Sequence, residues 1–131
     1  MLKAAILDNS ATARGLLRTI LVNGGHNVVA ESGITAMNLP RLVLLAPQLV
    51  FVSLDVTEVD SPALLKALRS SLPKALIFAV SSAVTNEMIA YARENGANGF
   101  VVKPFNGTTV LSSIRSAVLK LVEQQRLNAK T

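Results

Sequence analysis

The chain contains no cysteine, which excludes a disulfide framework, a thiolate metal site and thiol redox chemistry, and which suits a reducing compartment. Aromatic residues make up only 4%. With no helix-turn-helix pattern either, little is left that could stack on nucleic-acid bases or read them. Charged residues are scarce at 16%, while half of the chain is apolar. That balance belongs to a domain that buries a core, not to a disordered segment. No apolar run approaches the ~18 residues of a membrane span. The opening run of Leu2 to Leu7 breaks at Asp8, too short and too early for a signal peptide. We therefore expect a soluble, cytoplasmic protein with no membrane partner. The lone histidine, His26, falls in the turn Gly24-Gly25-His26-Asn27 and reads as an exposed loop residue.

The 131 residues fit one domain, expected over residues 1–126, with 127–131 a C-terminal tail or the start of a linker. The formal charge of +5 is uneven. From residue 102 onward Lys103, Arg115, Lys120, Arg126 and Lys130 face Glu123 alone, so the excess falls on the C-terminal helix. It reads as a solvated helix face, with nucleic acid not expected as a partner.

The periodicity alternates between strand and helix. Lys3 to Leu7 is a short apolar strand, and Ser10 is placed to cap a helix with the stripe Ala13, Leu16, Leu17, Ile20 and Leu21, closed by Gly24-Gly25. A second strand covers Asn27 to Ala30. A weaker helix through Met37, Leu39, Leu42 and Leu45 must start late or kink at Pro40 and ends by Pro47. Gln48 to Leu54 is apolar on both faces, as in a central parallel strand. Ser61-Pro62 opens a helix with Leu64, Leu65 and Leu68 facing inward. A fourth strand, Ala75 to Val80, leads to a helix with Val84, Met88 and Ala92 on one side, ending at Asn95-Gly96. After the strand Gly99 to Val102, a last helix from about Asn106 carries Leu111, Ile114, Val118, Leu121 and Val122 and frays after Arg126. Five such units in alternation predict a five-stranded parallel doubly wound α/β sheet with helices on both faces.

The polar residues after strands one, three, four and five converge on the sheet's carboxyl edge, where α/β domains bind ligands. They are Asp8-Asn9, Ser53 to Asp60, Ser81-Ser82 and Lys103. Singly, each has a local explanation: Asp8 as a helix cap, Ser81 as a loop residue satisfying backbone. Lys103 is harder to explain locally, because it stands at the exit of a β-branched strand and is followed by Pro104.

On these residues the chain resembles the receiver domain of bacterial response regulators. The resemblance rests on Ile6-Leu7-Asp8-Asn9-Ser10, on Ala79-Val80-Ser81-Ser82, and on Gly96-Ala97 through Phe100 to Lys103-Pro104-Phe105. It implies a flavodoxin-like sheet in strand order 2-1-3-4-5. It also implies a phosphorelay role in which an acidic pair and a third-strand aspartate hold Mg²⁺. That aspartate takes a phosphoryl group from a histidine kinase, and the hydroxyl, the aromatic and the lysine, here Ser81, Phe100 and Lys103, form the switch.

The chain departs from that pattern where phosphorylation would occur. Counting from Pro47, the phosphoacceptor position falls on Ser53; the acidic pair is Asp8-Asn9; and the following loop has Thr57 and Ser61 where the family usually has proline and glycine. Neutral Asn9 and Ser53 offset little of the dehydration of Mg²⁺, so the cofactor expectation is none, with Asp8 at most a weak metal ligand. With Asp8 facing Lys103, a near-neutral pocket is expected. A serine hydroxyl needs an adjacent general base, and no histidine is available near Ser53. Asp55, two residues on, is the one candidate for a displaced acceptor, provided its loop shifts toward Lys103.

The sequence thus predicts a non-enzymatic pseudo-receiver that works by protein–protein contact with a histidine kinase, a phosphotransfer protein or an output protein. Its interaction face would be the fourth helix, fifth strand and fifth helix, with Met88, Tyr91, Phe100 and Arg115, through which a homodimer would also form. The alternative is an active receiver phosphorylated on Asp55 with a weakened Mg²⁺ site. A nucleotide or flavin binder is disfavoured, because Asp8 to Thr12 contains no glycine-rich phosphate cradle.

Overall fold

The two most continuous apolar runs, Leu49–Ser53 (β3) and Leu76–Ser81 (β4), are buried along their whole length, as strands covered on both sides must be. They form the centre of a parallel sheet completed by β1 (Lys3–Leu7), β2 (Asn27–Ser32) and β5 (Gly99–Val102), in the order 2-1-3-4-5. The computed structural model describes residues 2–55 and 61–129. Thr57 and Asp60, weighed above, lie outside the described residues, as do Lys130 and Thr131. The crossovers are α1 (Ala11–Asn23), α2 (Leu39–Leu45), α3 (Ser61–Ser71) and α4 (Asn86–Glu94), and α5 (Gly107–Ala129) follows the last strand.

Alternate residues of each strand feed two separate cores. Ala5, Leu7, Val50, Val52, Ile77 and Ala79 pack against Leu42, Leu65, Leu68 and Ala92, so α2, α3 and α4 cover one face. Ala4, Ile6, Leu49, Phe51, Phe78 and Val101 pack against Leu17, Leu21, Val110 and Ile114, which puts α1 and α5 on the other. In this second core the Phe51 and Phe78 rings stack with centroids 5.1 Å apart, an arrangement worth about 0.5–1.5 kcal/mol beyond the buried area.

Local signals act where the sequence puts them. Ser10 caps α1, its hydroxyl accepting from the Ala13 amide, and Gly25 takes φ 85 in the turn that follows. Pro40 delays α2 and does not kink it: Asn38 is the cap and the proline sits in the first turn, where its missing N–H costs nothing. Three expected stripes are narrower than their apolar residues suggest. Leu16 is 46% exposed, Val84 precedes α4 and is also exposed, and Leu121 and Val122 lie on a stretch, residues 119–129, that is exposed throughout. Only the first half of α5 has sheet beneath it.

Arg69 ties together three segments on the edge remote from the strands' carboxyl ends. Its guanidinium donates to the carbonyls of Leu72, Pro73 and Ala75, to Gly96 O and to Asn98 Oδ1. Gly96 sits at φ 110, and a Cβ there would meet Arg69 Cβ at 2.9 Å. The partly buried guanidinium is therefore held by neutral acceptors alone, and burial lowers its pKa.

Candidate functional site

In the order 2-1-3-4-5 the chain reverses direction across the sheet between β1 and β3, which opens a crevice at their carboxyl ends. Asp8 leaves β1 on one side of it. The carboxylate is nearly buried and fully engaged: Oδ1 accepts from the Ser10 amide at 2.9 Å, and Oδ2 lies 2.8 Å from Lys103 Nζ. Asp8 therefore shapes the turn into α1 while Ser10 does the capping. Lys103 arrives from β5, its amide donating to Ser81 O at 3.0 Å, and the Lys103–Pro104 peptide bond is cis.

Asp55 completes the cluster. β3 ends at Ser53, the Leu54 amide donates to Val80 O, and the Asp55 amide donates to Ser53 Oγ at 3.3 Å. This tight exit turns the Asp55 side chain back over the edge. Oδ1 accepts from Ser81 Oγ at 2.7 Å, the Ser82 amide reaches both carboxylate oxygens at 3.2 Å, and the Ser82 hydroxyl donates to Oδ2 at 3.3 Å. Lys103 Nζ lies 3.6 Å from Oδ2. Partial burial pushes the Asp55 carboxyl up, but the Ser81 and Ser82 hydrogen bonds and the Lys103 charge outweigh it, so its pKa falls below 3.8.

The pocket expected to be near neutral therefore holds two carboxylates around one ammonium. The reason is local: a strand-end residue two positions on from Ser53 needs no loop displacement to reach Lys103. Ser53 itself is buried beneath, with its hydroxyl turned to the Asp55 amide. Asn9 faces the other way. Its Oδ1 accepts from the Ile34 amide at 2.6 Å and fastens the segment after β2. His26 is also more engaged than an exposed loop residue: it is half-buried, its Nδ1 accepts from the Leu2 amide at 3.2 Å, and burial lowers its pKa.

Of the expected switch residues, Ser81 is buried and Phe100 is partly buried against the core beneath α2, α3 and α4. Met88 and Tyr91 share a shallow cleft with Leu54, Ser61 and Glu87, whereas Arg115 is exposed on α5. Sequence reasoning gave Ser82 no role of its own, yet it contributes both an amide and a hydroxyl to Asp55. The Ser-Ser pair at the end of β4 was its only signal.

Both carboxylates and both neutral oxygens have protein partners. Mg²⁺ demands near-octahedral oxygen ligation, and to enter here it would have to displace Lys103 or the Ser10 amide from Asp8, or the Ser81 and Ser82 donors from Asp55. Among the described residues no three acidic or histidine side chains are grouped to share an ion. This donor set does not fit the ion without rearrangement.

A doubly wound α/β domain with an aspartate–lysine–serine cluster at its carboxyl edge has the form of the receiver domains that the sequence resembles. The sequence model of the response regulator receiver domain matches residues 4–115. The chain is 31% identical over 113 residues to the chemotaxis protein CheY of Bacillus subtilis, a match covering 86% of this chain and 94% of that one. It is 26% identical over 117 residues to CheY of Listeria monocytogenes, covering 89% and 98%. Among solved structures it resembles a response regulator from Thermotoga maritima, with TM-score 0.76, 21% identity and coverage of 90% and 98%. It also resembles the Vibrio cholerae chemotaxis protein CheY4, with TM-score 0.72, 21% identity and coverage of 89% and 98%. The chain belongs to the response regulator receiver domain family of two-component signalling.

Proposed function

We propose that this receiver domain signals through protein–protein contact without phosphoryl transfer, and that its own Asp55 carboxylate holds the switch. The observation that carries the reading is the hydrogen bond from Ser81 Oγ to Asp55 Oδ1, made beside Lys103. In the family as described above, that hydroxyl and that lysine read the phosphoryl group. Here they already address a fixed anion of this chain. The position that would carry the phosphoryl group is Ser53, whose buried hydroxyl accepts from the Asp55 amide and, among the described residues, donates to no base that would make it a nucleophile. The donor set argues against reliance on Mg²⁺.

A domain set by its own sequence passes its state on by binding. The partner surface is the α4–β5–α5 face with Met88, Tyr91, Phe100 and Arg115, and the partner is a kinase, a phosphotransfer protein or an output protein in the cytoplasm. The same face would serve a homodimer. The second reading, phosphorylation of Asp55, draws support from the 29% exposure of its side chain and from Asp8 and Lys103 beside it. Against it, the carboxylate oxygens are engaged by Ser81 and Ser82, and a carboxylate held below its usual pKa is a weaker nucleophile.

Intact-mass analysis after incubation with acetyl phosphate and Mg²⁺ separates the two readings. No adduct should accumulate. An adduct that disappears in Asp55→Asn would replace the pseudo-receiver with a receiver whose acceptor is displaced by two residues.

A further inference from the structure

The strands' amino edge, opposite the site, carries an apolar groove of about 490 Å³, a volume within the range of ligand and peptide pockets. Its walls come from the segments that enter the strands: Leu2 before β1, Pro47 before β3 and Pro73 before β4, with Val43 from α2 and Val118 and Leu121 from α5. A second groove of about 280 Å³ continues it, sharing Leu121 and the stretch from Pro73 to Leu76 and adding Gln125. Val118, Leu121 and Gln125 follow the helical i, i+3, i+7 spacing, so one face of α5 forms a continuous wall.

The charged side chains that line these grooves are basic. Lys74 lines both, Arg69 lines the second, and among the described residues no acidic side chain lines either. Lys120, the residue before Leu121 on α5, lines a neighbouring cleft with no acidic side chain among the described residues. The five N–H groups of Arg69 are taken up by carbonyls and Asn98. Lys74, in contrast, makes no hydrogen bond or ion pair among the described residues. An apolar trough with an uncommitted cation on its rim selects an occupant with apolar side chains and negative charge. A second copy of this chain would bring lysine against lysine.

We propose that this groove docks an acidic amphipathic segment of a partner protein. The site is separate from the Asp55 cluster and independent of how that cluster is read.

The test uses a fluorescently labelled peptide of about 15 residues, long enough to form a helix, with leucines at i, i+3, i+4 and i+7 and glutamates elsewhere. A counterpart has lysines in place of the glutamates. Titrated into the ¹⁵N-labelled full chain, the acidic peptide should shift the amides of Gln48, Lys74 and Leu121. Its affinity should fall about tenfold in Lys74→Glu and in Leu121→Gln, with both variants keeping the parental melting temperature. Lys74→Glu should bind the basic counterpart better than the parent does. The proposal is overturned if the two peptides bind the parent equally, or if the shifts fall at Ser82 and Lys103. It is also overturned if phosphatidylglycerol vesicles bind and the acidic peptide does not, or if the groove amides shift with protein concentration alone, which would make this face a homodimer contact.

Discussion

Asp55 Oδ1 lies 2.7 Å from Ser81 Oγ, and the same hydroxyl accepts from the Ala83 amide at 3.1 Å. With the Ala83 N–H directed at the oxygen, the hydroxyl proton is left for the carboxylate. One side chain of the β3 exit thereby fixes the orientation of the loop after β4, and Ser82 reinforces the link through its amide and hydroxyl. These bonds tie the loop after β4 to the exit of β3, and in a switching domain such a loop has two arrangements.

Asp55→Asn removes the charge from this junction. At neutral pH the variant should lose about 1 kcal/mol, the net scale of one intramolecular hydrogen bond. The pH dependence gives the sharper readout. The carboxyl is held below 3.8 in the folded protein, so its contribution is present above that value and is lost as pH falls through the folded-state pKa. Urea denaturation at pH 7 and pH 3 should show a smaller acid-induced loss in Asp55→Asn than in the parent.

Ser53→Asp combined with Asn9→Asp should convert the pocket into a metal site, with Mg²⁺ drawing the carboxylate at 9 away from the Ile34 amide that holds Asn9. The new carboxylate at 53 replaces a buried hydroxyl and crowds Asp8 and Asp55, so the double variant should be less stable than the parent in EDTA. Millimolar Mg²⁺ should raise its melting temperature and leave that of the parent unchanged. Equal responses would mean that the carboxylates at 9 and 53 do not meet in the pocket.

The strand pattern was legible because buried parallel strands are apolar on both faces and the helices between them carry caps such as Ser10 and Asn38. Lys103 was legible for a related reason: a cation stands out at the end of such a strand. The placement of Asp55 was not legible, because it depends on a turn closed by the Leu54 and Asp55 amides, and neither bond leaves a periodic trace. The exposure of Leu121 and Val122 was missed because periodicity reports a helix's apolar face and not how far the sheet beneath it extends. Nothing in the sequence singled out Arg69, since its partners are mostly backbone carbonyls.

Arg69→Lys should be costly for a surface-edge residue. A lysine cannot span the acceptors on Gly96, Asn98 and Ala75 at once, and leaving them unpaired should cost about 2–4 kcal/mol by thermal or chemical denaturation. Gly96→Ala, which sets a Cβ 2.9 Å from Arg69 Cβ at positive φ, should cost about 1–3 kcal/mol. Because both act on one junction, the double variant should lose less than the sum.

The central claim is that the switch pocket is already filled by the chain's own carboxylate. The most direct measurement is a ¹H–¹⁵N spectrum of the full chain before and after addition of beryllofluoride, a phosphoryl analogue, with Mg²⁺. The account predicts unchanged amide positions for Ser82, Ala83, Phe100 and Lys103. Saturable shifts at those amides, abolished in Asp55→Asn, would contradict it.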